Sequence, residues 1–137
     1  KRFADGEVKV MVATNAFGLG VNIPDIRWVI HHSPSIGLDE YIQEAGRAGR
    51  DGKQAKAVLL WHPYDFTINR GLIEKAKLQL TGKQRKERLA ALDALQAYAQ
   101  DEEHCRWRMV RKFFGEPKGE HCYDQCDNCI CRDEDWL

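Results

Sequence analysis

The sequence holds no run of about eighteen apolar residues, so nothing in it reads as a membrane-spanning helix. Nor does it open on a charged and then apolar leader, and the default expectation is a soluble intracellular protein, nuclear in a eukaryote and cytoplasmic otherwise. An excess of either charge is missing too. The 21 basic residues are balanced by 21 acidic ones, so the whole-chain charge gives no argument for nucleic-acid binding, and any basic surface must be local. Low hydrophobicity is also absent. With 43% hydrophobic and 31% charged residues over 137 positions, the chain is one domain's worth of globular sequence with enough apolar material for a core. Finally, an even set of cysteines is lacking. There are five, and four of them (Cys122, Cys126, Cys129, Cys131) fall within the last sixteen residues. An odd, clustered set without a leader points away from a secreted disulfide framework and toward metal.

What is present divides near residue 62. Lys1 to Gly6 reads as the tail of a helix with its stop, which suggests that the sequence is a fragment or a truncated gene product. Val8 to Thr14 then reads as a buried strand, because Val10 to Ala13 is a continuous apolar run. A glycine-bearing loop follows from Asn15 to Asn22, and Ile23-Pro24-Asp25 signals a turn. Ile26 to His32 and Ala55 to Trp61 read as further strands, with an amphipathic helix from Leu38 to Gly46 between them. This order implies an α/β unit with a mainly parallel sheet, whose ligands bind at the carboxyl ends of strands, where the loop after Thr14 would lie.

Beyond Trp61 the pattern becomes helical. Pro63 suits the first turn of a helix through Ile68, Leu72, Ile73 and Ala76. Thr81 and Gln84 have capping-box spacing for the next helix, whose core stripe is Leu89, Leu92, Leu95 and Ala99. Lys83, Arg85, Lys86 and Arg88 give that helix a compact basic patch at its start. A third helical stretch, about Glu103 to Phe114, is expected to pack Val110, Phe113 and Phe114, and Gly115 with Pro117 ends it.

Three stretches carry chemistry. Gln43 to Gly52 places Arg47 and Arg50 three residues apart in a segment that can start as helix, so both guanidinium forks can share a face. Glycines at 46 and 49 would let another surface approach the backbone. Two fixed planar cations there suit a polyphosphate; the alternative is a solvated basic helix end. In the cysteine cluster, Cys122, Cys126 and Cys129 supply three thiolates in a tight loop. Sixteen residues separate Cys105 from Cys122, far enough for a helix to run out and a loop to return. Four thiolates suit a closed structural zinc site; disulfide pairing and iron–sulfur ligation are the alternatives. Cys131 reads as a spare, with His104, His121 and Cys131 as possible substitute ligands. The loop at Gly18-Leu19-Gly20 is neither a Walker A loop nor a complete dinucleotide fingerprint. With Thr14, Asn15 and Asn22 it could meet phosphate or ribose, or be an ordinary connection.

Taken together, these residues resemble a known family. Val12 to Asn22 resembles motif V of superfamily-two helicases, and Gln43 to Arg50 resembles their motif VI. The Ala-Phe-Gly-Leu-Gly-Val-Asn form of motif V looks like the RecQ branch. Cys105-Arg106, Phe113 to Glu116, Cys122 and Cys126-Asp127-Asn128-Cys129 resemble the RecQ zinc-binding subdomain. The resemblance implies a partial RecA-like lobe over residues 1–62 and a helical hairpin with a zinc-binding subdomain over 63–137. It implies Arg50 as the arginine finger on ATP held by another lobe, Arg47 as the second motif VI arginine, and Gln43 as the coupling residue. Thr14, Gly18, Gly20 and Asn22 would face the lobe cleft and the DNA backbone, although Asn22 stands where many related helicases have Asp. Lys83, Arg85, Lys86 and Arg88 would contact DNA, and Cys105, Cys122, Cys126 and Cys129 would hold zinc. Neither a Walker A lysine nor an Asp-Glu-x-His box is in the sequence, so ATP and magnesium would be bound mainly by a first RecA-like lobe acting in cis. The implied function is that of an ATP-dependent 3′-to-5′ DNA helicase in recombination, repair or replication. A zinc-stapled nucleic-acid-binding module and an inactive helicase remnant are the rival readings.

Overall fold

A computed structural model describes residues 2–14, 23–76, 79–116, 122 and 125–130. The described chain holds two short strands and five helices. Strands β1 (Trp28–His31) and β2 (Lys56–Leu59) pair in parallel, with Trp28 opposite Lys56 and His31 opposite Leu59. Parallel neighbours need a crossover, and helix α1 (Leu38–Ala45) supplies it. Helices α2 (Pro63–Lys75), α3 (Gly82–Gln100) and α4 (Arg106–Phe113) follow, and α5 is a single turn at Asp127–Ile130.

Local signals set the helix starts. Pro63 takes the first position of α2, while the His62 amide donates to Asp65 Oδ2 at 2.8 Å. At α3 the Gln84 amide donates to Thr81 Oγ1 at 3.2 Å and the Thr81 amide to Gln84 Oε1 at 2.9 Å. That is the reciprocal capping box expected from the spacing.

One apolar core draws on both sides of residue 62. Leu38 and Tyr41 of α1 pack with Phe66 and Ile73 of α2 and with Leu92 and Leu95 of α3, the last two wholly buried. Aromatic rings extend it: Tyr41 lies 5.0 Å from His31 and 5.6 Å from Tyr98, and Trp61 lies 5.9 Å from Phe66. A Cβ on Gly37 would come within 2.9 Å of the Ala91 methyl, so a glycine is what lets α1 begin against α3. Asn69 ties α2 to the turn before α1 by donating to the carbonyls of Pro34 and Ser35.

Several expectations need correcting. Val8 to Thr14 is not a buried strand: Val10 and Val12 are 78% and 95% exposed, and the run pairs with nothing among the described residues. A strand exists through its ladder, and apolar sequence alone does not supply the partner. Residues 2–8 form a closing turn with left-handed Gly6, its Glu7 amide donating to the Arg2 carbonyl, as at a helix end; Lys1 lies outside the described residues. Phe66, absent from the expected stripe of α2, is its most buried side chain, whereas Ile68 and Leu72 are exposed. Helix α4 starts at Arg106 rather than Glu103, because Asp101 accepts the amides of Glu103 and His104 and holds that stretch in a turn. Of its expected core residues only Val110 is buried; Phe113 and Phe114 are exposed and meet edge to face at 5.1 Å.

Candidate functional site

Two constellations stand apart in the described sequence. The first follows α1. The helix ends at Ala45, and the chain turns through residues 46–52, so Arg47 and Arg50 do not share a helix face as expected. The cause is long-range. Gly49 adopts a left-handed φ of 65° and donates its amide to the Ile26 carbonyl at 2.9 Å, while the Asp51 amide donates to the Pro24 carbonyl at 3.0 Å. A Cβ at Gly49 would meet the Lys53 carbonyl oxygen at 2.8 Å, so the surface this glycine admits is the chain's own. Arg27 fixes the turn from below: its Nη2 donates to Asp51 Oδ1 at 2.7 Å and its Nη1 to the Gln54 carbonyl at 3.1 Å. The Arg27 guanidinium accordingly holds the Asp51 carboxyl below the usual carboxylate range.

On this turn Arg47 is half-buried and Arg50 exposed, with Gln43 exposed on the last turn of α1. Its neighbour Glu44 faces inward instead, within 2.8 Å of His31 Nε2 and accepting from Ser35 Oγ at 2.7 Å. The turn is thus pinned to the residues just before β1, with Arg50 exposed and Arg47 half-buried on it. Thr14 is exposed, and Gly18, Gly20 and Asn22 lie outside the described residues. The basic positions of α3 are less compact than their sequence spacing suggests. Positions 83, 85, 86 and 88 wind around the first two turns of a helix instead of lining one face. Lys83 lies 3.9 Å from Glu87 and Arg88 lies 4.0 Å from Glu40, while Lys86 is exposed and Arg85 half-buried.

The second constellation is the thiol cluster. Cys105 is the N-cap of α4, and Cys126 and Cys129 bracket the start of α5. The sulfurs of Cys105, Cys122, Cys126 and Cys129 all lie within 4.8 Å of one another; all four residues are buried, and none is in a disulfide. This geometry fits the ion the sequence suggested. Tetrahedral thiolates at about 2.3 Å from zinc stand roughly 3.8 Å apart. Sulfurs this close enclose one ion, and a cluster of several irons needs a wider cage.

Proton distribution agrees with that fit. Burial pushes the Cys122 and Cys129 thiols up. Burial also opposes ionisation of Cys105, but hydrogen bonds from the amides of Arg108 and Cys122 and from neighbouring thiols outweigh it and bring Cys105 down to about 6. Four adjacent thiols cannot all ionise without a cation among them, and a bound divalent ion removes that obstacle. His104 is not drawn in: its ring is exposed, with Nδ1 2.8 Å from Asp101 Oδ2. His121 and Cys131 lie outside the described residues.

Sequence reasoning gave no role to the residues that hold this loop. Asn128 is buried and donates to the carbonyls of Asp101 at 2.9 Å and His104 at 2.8 Å. Arg106 forms a two-pronged pair with Asp127, at 3.0 Å and 2.9 Å. It also donates to the Tyr98 carbonyl and lies over the Tyr98 ring, so one side chain joins the metal loop to the end of α3. The signal was there in the two polar residues enclosed by Cys126 and Cys129.

Residues 1–52 match the family described as helicase conserved C-terminal domain, and residues 63–130 match the one described as RecQ zinc-binding. The chain is 40% identical to the ATP-dependent DNA helicase RecQ of Bacillus subtilis, over 94% of this chain and 21% of that protein. The chain belongs to the RecQ family. It is also 36% identical to ATP-dependent DNA helicase Q1 of Pongo abelii, over 97% of this chain and 19% of that protein. Against ATP-dependent DNA helicase Q-like 2 of Arabidopsis thaliana it is 36% identical over 97% of its length and 17% of the relative. It thus spans about a fifth of the curated relatives it matches. In RecQ terms, the arginine turn falls in the helicase C-terminal match and the thiol cluster in the zinc-binding match. No described helix is long and apolar enough to cross a membrane.

Proposed function

We propose that this chain is the part of a RecQ-like, ATP-dependent 3′-to-5′ DNA helicase that supplies the arginine half of the ATPase site and a zinc-stapled module. The observation that supports this best is where the two constellations fall: the arginine turn lies within the helicase C-terminal match and the four-thiol cluster within the RecQ zinc-binding match. ATP and magnesium are held mainly by a first RecA-like lobe, and Arg50 reaches the γ-phosphate across the cleft. Its guanidinium stabilises the negative charge that develops on the transferring phosphoryl group. Arg47 supports that contact, and Gln43, at the end of α1, couples nucleotide state to lobe closure. Thr14, Gly18, Gly20 and Asn22 face the cleft and the DNA backbone, and Lys83, Arg85, Lys86 and Arg88 meet phosphates of DNA.

Residues 1–62 belong to the lobe and 63–137 to the hairpin and zinc subdomain. Cys105, Cys122, Cys126 and Cys129 hold zinc, which supplies fold rather than chemistry, because four thiolates leave no open position. The protein works in DNA recombination, repair or replication, in the nucleus of a eukaryote or the cytoplasm of a bacterium.

Arg50→Ala, placed in the chain joined to its ATP-binding lobe, should lower DNA-stimulated ATP turnover by about 10³- to 10⁵-fold while sparing nucleotide binding. Undiminished turnover removes the finger assignment, and ATPase activity from the 137 residues alone removes the half-site reading.

A further inference from the structure

Helix α4 carries a surface that neither the arginine turn nor the basic positions of α3 account for. Its sequence, Arg-Trp-Arg-Met-Val-Arg-Lys-Phe, contains basic and no acidic residues in a chain whose total charge is zero. Arg106 and Val110 face inward, toward Asp127 and the core. At 100° per residue the opposite arc runs through Phe114 at the cap, Trp107, Arg111, Arg108 and Lys112. All five are exposed, Trp107 by 49% and Phe114 by 55%. Among the described residues, Arg108, Arg111 and Lys112 form no ion pair, unlike Lys83 and Arg88 of α3, which have carboxylates near them.

A structural role explains only part of this arc. Cations in the last turn of a helix suit its dipole, which covers Arg111 and Lys112. Arg108 is the third residue of α4, where the dipole opposes a cation, and no described carboxylate answers it. Trp107 has no ring partner among the described residues.

We propose that this arc is a contact surface for single-stranded nucleic acid, its phosphates on Arg108, Arg111 and Lys112 and its bases stacked on Trp107 and Phe114. Unpaired cations call for an anionic partner, which favours a nucleic-acid backbone over an ordinary protein surface. A base-paired duplex would engage the cations but leave the aromatic margin unused, whereas the unstacked bases of a single strand meet both. The surface rests on the reading that this chain meets DNA, and it adds a second site of different chemistry to α3.

The test uses the whole zinc-loaded chain and an oligothymidylate of roughly 15 nucleotides, with affinity measured against salt. Replacing Arg108, Arg111 and Lys112 together by Gln should weaken binding by about 10-fold or more at low salt. It should also lower the slope of log affinity against log salt by about 2, since each single-strand phosphate contact contributes roughly 0.7. Trp107→Leu should weaken binding by about fivefold or more with the slope unchanged, and Trp107→Phe should restore most of it. Zinc content and circular dichroism check folding, and the triple variant carries the test should the tryptophan variant not fold.

Parent-like binding by both variants overturns the proposal and leaves the arc to a protein partner. Should they bind like the parent while Ala at Lys83, Arg85, Lys86 and Arg88 abolishes binding, only this surface falls. A parent chain that does not bind the oligomer removes both this surface and the reading it rests on.

Discussion

Leu38, Tyr41, Phe66, Ile73, Leu92 and Leu95 bury one another across three helices, while the segment after α3 gathers four of its five cysteines, with Val110 as the one buried aliphatic residue among those described there. The first cluster needs nothing from outside. Each large apolar side chain taken out of water contributes about 1.5–3 kcal/mol, and six of them can hold α1, α2 and α3 together. The second cluster buries thiols whose simultaneous ionisation is opposed by burial and by one another. It is a core only once a cation joins it. The two regions teach that chain length does not decide what a segment can hold by itself; the supply of aliphatic side chains does.

Removing the metal breaks that comparison most strongly. Cys126→Ser, or a chelator acting on the parent chain, should release zinc stoichiometrically and unfold residues 101–130, because structural zinc supplies roughly 10–16 kcal/mol to such modules. Limited proteolysis should then cut the loop around Cys122 while α2 and α3 stay protected. Unchanged metal content in the Cys126 variant removes it from the ligand set. Simultaneous loss of α2 and α3 would mean that the two cores form one cooperative unit.

The reverse experiment has a smaller effect. Leu92→Ala empties a site with no solvent exposure and should cost about 2–5 kcal/mol in urea unfolding. Zinc content below the transition should match the parent. Metal loss in native buffer would show that the thiol module depends on the apolar core for its shape.

The same contrast explains what the sequence made legible. The capping box of Thr81 and Gln84 and the stripe of Leu92 and Leu95 depend on neighbours a few residues away or on simple periodicity; the parallel pairing of β1 with β2 followed from the helix that the sequence places between the two strands. The cysteines could be grouped because thiol chemistry is so restrictive. Long-range partners were not legible. Val8 to Thr14 has the composition of a strand, but no described segment offers it a ladder. The arginine segment leaves the helix because Gly49 reaches back to Ile26 and Arg27 to Asp51, across more than twenty residues. Phe113 and Phe114 have core composition yet are exposed, since α4 turns Val110 inward instead. Asn128 and Asp127 acquire their roles from partners more than twenty residues upstream.

The finest test lies where the two regions meet. Arg106, half-buried, joins the Tyr98 carbonyl at the end of α3 to the Asp127 carboxylate in the metal loop. Asp127→Asn leaves that guanidinium with one fewer charged partner. Because the carboxylate is largely exposed, solvent screens the pair and the cost should be about 1 kcal/mol or less at pH 7. The hydrogen bonds and charge of Arg106 hold the Asp127 carboxyl below the usual carboxylate range. A group whose folded pKa is depressed stabilises the fold above its unfolded value, near 3.9, and loses that contribution as pH falls through the folded value. The stability difference between parent and Asp127→Asn should therefore stay level from about pH 8 to 5. Urea denaturation of both zinc-loaded chains across that range, above the acid at which protonated thiols release the metal, reads it directly. A gap that closes between pH 6 and 5 would mean that Arg106 does not hold this carboxylate, and that the metal loop is joined to α3 through the Asn128 hydrogen bonds alone.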